Sequence, residues 1–201
     1  MLIFGKPRGE EYHSRTIETG TYDYDDARFV TEGILTDRRF KAYHLATGDE
    51  KQPGILHQMA VRLLVGKADL VIRDLEVEMR VIPREECREM THCLDPVKGL
   101  RIVGGFTAKV REIAGGDKGC SHLVALMTAL GPAVIQGYGA YCDHNIPDFV
   151  LDHYEFLMNT CRNWREDGPL VAMLKVKREA KREGAGRAAA KTAACTDDEG
   201  G

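Results

Sequence analysis

The hydrophobic period of this chain changes once, at Pro83, and that change constrains the fold more than any other feature. Ahead of it, apolar residues recur at the two-residue period of half-buried strands. Arg28-Phe29-Val30-Thr31-Glu32-Gly33-Ile34-Leu35 reads as a strand rich in apolar and β-branched residues, and a turn-rich interval follows from Ala46 to Gly54. In the next run His57, Met59, Val61, Leu63 and Val65 share one face, which places His57 at the mouth of an apolar surface. Gly66-Lys67-Ala68-Asp69 has hairpin character, and beyond it Leu75, Val77, Met79 and Val81 alternate with Glu76, Glu78 and Arg80. Antiparallel pairing of these two runs is the simplest reading.

After Pro83 the apolar spacing becomes helical. Proline suits a first helical turn and Glu85-Glu86 favour the positive end of a helix dipole, so a short helix carrying Cys87 and Met90 is expected. Asp95-Pro96 repeats the signal, with Asp95 as N-cap and Val97, Leu100 and Val103 at helical spacing up to Gly104-Gly105. Phe106, Val110 and Ile113 mark another short helix, ended by the glycine-rich stretch Gly115 to Gly119. A long apolar helix then starts at Cys120, with Gly131-Pro132 either kinking it or opening a second one. A last helix after Pro147 is expected to bury Phe149, Tyr154, Leu157, Met158, Cys161 and Trp164. Strands first and helices afterwards define an α+β fold, an antiparallel N-terminal sheet packed against C-terminal helices.

A chain of 201 residues has ample length for one self-sufficient core. From Lys175 onward, Lys and Arg are interleaved with Ala, Gly and a few acids, without apolar anchors. The expected organisation is therefore one domain over 1–174 and a disordered charged tail over 175–201, because the tail buries too little apolar area to offset its ordering entropy. A net charge of -3 argues against a body-wide nucleic-acid surface but not against a local basic patch, and the tail reads first as a solubilising terminus, with transient contact to RNA, membrane or an acidic partner as the alternative. The N-terminal Met1-Leu2-Ile3-Phe4 breaks into Gly5, Lys6 and Pro7, too short for a signal-peptide core. No bilayer-spanning stretch is expected, on the reading that charges recur throughout, and the expected location is the cytoplasm. The six cysteines, at 87, 93, 120, 142, 161 and 195, are irregularly spaced, as suits free thiols or ligands in a reducing compartment.

Gly119-Cys120-Ser121-His122 is the strongest local signal for chemistry. Unpaired amides at a helix start, together with Lys118, favour an ionised Cys120 thiol, which is both a ligand and a nucleophile. On a regular helix His122 would point about 200° away from Cys120, so the two converge only if the first turn is irregular or Cys120 precedes the helix. The antiparallel hairpin would bring His57 and Cys87 to one edge. His57, Cys87, Cys120 and His122 then make a donor set of two thiolates and two imidazoles, suited to zinc or to iron–sulfur chemistry. Cys142-Asp143-His144, His92-Cys93 and Cys195 are weaker candidates. There is no Cys-x-x-Cys pair, Walker-type loop, dinucleotide fingerprint or nucleophile elbow, so no nucleotide cofactor is expected.

In order and spacing the body resembles a bacterial family of uncharacterised proteins, domain of unknown function 2889. The residues that carry the resemblance are Tyr24-Asp25-Asp26 leading to Gly33-Ile34-Leu35-Thr36-Asp37, then His57-Gln58-Met59, Ile82-Pro83-Arg84-Glu85-Glu86-Cys87 and Gly119-Cys120-Ser121-His122-Leu123. Asn159-Thr160-Cys161-Arg162 and Asp167-Gly168-Pro169 extend it to about residues 13 to 172. It implies no activity, and it places the tail outside the domain. A looser similarity is to NifU/SufE-like folds and to the NifU N-terminal type of iron–sulfur scaffold. There a hairpin precedes a cysteine at a helix start and a later His-Cys pair, a plan that His57, Cys87, Cys120 and His122 resemble. His57 stands where that scaffold has cysteine, its Cys-Gly-Asp is absent, and the late pair reads Cys-Ser-His, changes that suit zinc better than a cluster. Three functions follow as expectations: metal binding, a cysteine-dependent enzyme with Cys120 as nucleophile toward a small acyl or carbonyl substrate and His57 or His122 as base, and a binding or regulatory module whose tail engages a partner.

Overall fold

A computed structural model describes residues 2–196, with side chains described over 4–186. Strands β1 (His13–Asp25), β2 (Arg28–Arg39), β3 (Gly54–Gly66) and β4 (Ile72–Val81) form one antiparallel sheet in chain order. Short ladders pair Leu2–Ile3 with Lys6–Pro7, and Tyr43–His44 with Glu50–Lys51. The protein is thus α+β, with the sheet drawn from the N-terminal half and helices following it. The anticipated hairpin is present, with Val61 opposite Val77 and Leu63 opposite Leu75. Strand β1, at one edge of the sheet, carries little apolar periodicity, and its Ile17 is partly buried against the core.

On β2 the buried positions alternate strictly: Phe29, Thr31, Gly33, Leu35 and Asp37. With Met59, Val61, Leu63 and Val65 of β3 they make the inner face of the sheet. Helices α1 (Phe106–Ala114) and α2 (Ser121–Asn145) supply the opposing side chains, among them Phe106, Val110, Leu123, Leu126, Met127, Leu130 and Val134. Each such side chain removed from water contributes about 1.5–3 kcal/mol. Gly33 lets α2 approach closely, since a Cβ there would lie 2.9 Å from Leu126 Cδ1 and 3.0 Å from Leu130 Cδ2.

Three sequence expectations need correction. Asp95 does not cap a helix reaching Val103. Only the 3₁₀ turn Asp95–Val97 forms, Leu94 stands at the N-cap position, and Val103 is exposed. The backbone of residues 99–102 bonds instead to the stretch entering β4, with Ile72 N donating to Leu100 O, Gly99 N to Ile72 O and Ile102 N to Leu70 O. Backbone bonds to the buried residues Leu70 and Ile72 outcompete a local helical turn.

The second correction concerns the helix after Pro147, which is broken into α3 (Phe149–His153) and 3₁₀ turns at Tyr154–Leu157 and Arg162–Trp164. Phe149 and Tyr154 are buried as expected, but Cys161 is exposed.

The third is the expected recurrence of charge. Residues 121–142 contain no Asp, Glu, Lys or Arg, and by length and composition α2 is apolar enough to cross a membrane. Its Leu123, Leu126, Met127, Leu130 and Val134 belong to the core, the same apolar demand met by packing on a sheet. The helix runs unbroken through Gly131-Pro132.

Chain contacts divide the protein into two units, residues 1–138 and 139–201. In the second unit α4 (Pro169–Thr196) is held by polar contacts: Arg178 donates to the Tyr154 hydroxyl at 2.9 Å and to Glu155 Oε1 at 2.5 Å, and Lys181 to Asp152 Oδ2 at 2.6 Å. Within 175–201, the segment expected to form the tail, the helix extends to Thr196, and residues 197–201 lie outside the described residues.

Candidate functional site

The sheet register assembles the site. Arg15 of β1 pairs with Asp37 of β2, and Asp37 pairs with His57 of β3, so one row crosses three strands at the end of the inner face. His13 lies two residues from Arg15 on the same face of β1. The N-terminus of α2 brings His122 to this row. Cys120 precedes the helix, and its carbonyl accepts the first helical bond, from Val124 N at 3.0 Å. Of the two geometries that let Cys120 and His122 converge, the chain adopts this one, with Cys120 Sγ 3.7 Å from His122 Nδ1.

Asp37 is the centre. Its side chain is only 4% exposed. Arg15 clamps it bidentately, Nε donating to Oδ1 at 2.6 Å and Nη2 to Oδ2 at 2.7 Å. The same Oδ2 lies 3.1 Å from His57 Nδ1 and 3.3 Å from His122 Nε2, while His13 Nε2 is 3.4 Å from Oδ1. The His57 and His122 rings lie 4.0 Å apart between centroids, tilted by 33°. Burial alone would raise the Asp37 pKa, but the hydrogen bonds and charge of Arg15, with His122 and His13, hold it down to about 2.

Both imidazoles are pushed below the ordinary histidine value. For His57 the cause is burial, which outweighs the attraction of Asp37. For His122 it is burial, then the neighbouring charges of His57 and Arg15, again against the pull of Asp37. At neutral pH the site therefore presents an ionised carboxylate beside two neutral imidazoles, the protonation states that metal ligation requires.

Ligand-capable atoms of Asp37, His57 and His122 all lie within 4.8 Å of one another. Of the four expected metal ligands, His57 and His122 are thus brought together. Cys120 touches the far nitrogen of His122 and is not in this group, nor is Cys87. The hairpin pairs Gln58 with Val81 as anticipated, but Cys87 sits on the 3₁₀ helix Glu85–His92 and packs half-buried against the core.

Sequence reasoning missed Asp37 and Arg15. The available signal was Asp37 itself, a charge at the alternation phase of Phe29, Thr31 and Leu35, which is costly unless partnered. Cys93, a weak candidate from sequence, lies against the Cys120 segment: a Cβ at Gly119 would meet its Sγ at 3.0 Å. Burial raises the Cys93 thiol pKa, against a backbone hydrogen bond from Cys120. Cys142 is buried in α2, and His92 is exposed with its ring on Asp95.

No curated protein and no solved structure matches this chain. The profile of the family described as "Protein of unknown function (DUF2889)" matches residues 13–136, a stretch that contains His13, Arg15, Asp37, His57, Cys93, Cys120 and His122, and the chain belongs to that family.

Proposed function

We propose that the protein binds one divalent transition-metal ion through Asp37, His57 and His122. The observation that carries this reading is the placement of two imidazole nitrogens 3.1 Å and 3.3 Å from one carboxylate oxygen. Ligands about 2.0–2.1 Å from a tetrahedral zinc are spaced roughly 3.3 Å apart. The donor set also fits: two neutral nitrogens and one anionic oxygen suit zinc or iron(II), whereas iron–sulfur clusters are held chiefly by cysteine thiolates. His122 would ligate through Nε2 and present Nδ1–H to the Cys120 sulfur, an outer contact that fixes the tautomer and ring orientation. Three protein ligands leave a coordination position for water or a substrate oxygen. The test is metal analysis of untagged protein. One ion per chain, lost in both His57→Ala and His122→Ala, supports the reading, and metal-free wild-type protein that takes up no added zinc overturns it.

A second reading rests on the 3.7 Å contact between Cys120 Sγ and His122 Nδ1. With Nε2–H directed at Asp37, Nδ1 would accept the thiol proton, and the resulting imidazolium would face an ionised carboxylate held by Arg15. The Cys120 sulfur would then attack a small acyl or carbonyl carbon. The two readings require opposite neutral tautomers of His122. Nitrogen-15 chemical shifts of that ring separate them, Nδ1–H supporting the metal and Nε2–H the thiol relay.

A further inference from the structure

Cys93 and Cys120 come from different parts of the chain. Cys93 caps the 3₁₀ helix Glu85–His92, and Cys120 immediately precedes α2. The absence of a side chain at Gly119 lets the Cys93 sulfur settle beside this stretch of backbone, with a Cβ at Gly119 falling 3.0 Å from Cys93 Sγ and 3.1 Å from Cys93 Cβ. The backbone and the charge of Cys120 both bear on the Cys93 thiol, whose pKa is raised chiefly by burial. Both residues are only partly buried. The Cys120 sulfur lies 3.7 Å from His122 Nδ1.

We propose that Cys93 and Cys120 are a peroxide-responsive thiol pair, in which Cys120 is oxidised first and Cys93 resolves it to a disulfide. In the first step the Cys120 sulfur attacks one oxygen of hydrogen peroxide, the O–O bond breaks, and a sulfenic acid and one water form. In the second, the Cys93 sulfur attacks the Cys120 sulfur, the S–O bond breaks, and the leaving hydroxide takes the Cys93 proton as a second water. Two thiols are oxidised by two electrons and one peroxide is reduced. The disulfide withdraws Cys120 from His122 Nδ1, so oxidation removes the polar partner that orients this imidazole. The pair therefore couples the redox state of the surroundings to the Asp37 site, whichever chemistry that site performs.

The test treats the full-length protein with stoichiometric hydrogen peroxide, followed by thiol titration and peptide mapping under non-reducing conditions. Two of the six thiols should be lost, with one linked peptide joining Cys93 to Cys120, and dithiothreitol should restore both. In Cys93→Ser the same treatment should leave Cys120 as a sulfenic acid that dimedone traps, and in Cys120→Ser Cys93 should stay reduced. An unoxidised Cys120, a Cys120 disulfide to another cysteine, or Cys93 oxidised in Cys120→Ser would each overturn the proposal. Urea midpoints of the two serine variants close to wild type show that the readout comes from a folded chain.

Discussion

Asp37 shows how one side chain can organise a site. A buried carboxylate must be fully partnered or it destabilises the fold, and the guanidinium of Arg15 with three imidazoles supplies the partners. Its pKa falls from 3.8 to about 2, so the folded state holds its proton less tightly than the unfolded state. The corresponding stabilisation, about 2 kcal/mol, is complete above pH ~4 and is lost as the pH falls toward 2. His57 and His122 act in the same direction at higher pH. Their folded pKa values lie below 6.5, so the unfolded chain takes up protons first and stability starts to fall as the pH drops through 6.5. Urea midpoints between pH 8 and pH 3 should show two losses, and His57→Gln should shrink the first one. Arg15 competes with a cation for Asp37. Arg15→Gln is therefore expected to bind zinc about tenfold more tightly in a chelator competition, while lowering stability at pH 7.

Among the elements, the contact between β2 and α2 sets the position of His122. Adding a methyl group at Gly33 would press on Leu126 and Leu130, which can yield only by shifting within a packed layer. Gly33→Ala should cost about 1–3 kcal/mol in urea denaturation and weaken zinc binding at a site it does not touch, because α2 carries His122 with it. The strands β3 and β4 were legible from alternation alone, since a sheet with one face buried writes its period into the sequence. The segment Asp95–Val103 was misread because its capping signal is real, yet its backbone is claimed by the stretch entering β4. Long-range backbone pairing of this kind leaves no local mark.

For the whole molecule, every residue assigned to the site falls in the unit spanning residues 1–138, within the family match to 13–136. A chain ending at Leu174 should therefore hold zinc with the same stoichiometry and the same response to peroxide as the full chain, measured by metal analysis and thiol titration. Composition and periodicity by themselves determined the α+β class, the β3–β4 hairpin, the long helix after Cys120, and the interest of His57 and His122, because these depend on neighbours two to four residues apart. Only the tertiary structure decided that both histidines meet at Asp37, that Arg15 neutralises it, that Cys87 packs elsewhere and that Cys93 lies beside the Cys120 segment. Those relations are fixed by strand register and by helix-to-sheet packing between residues far apart in sequence, where a single residue of slip would turn Asp37 to the other face of the sheet.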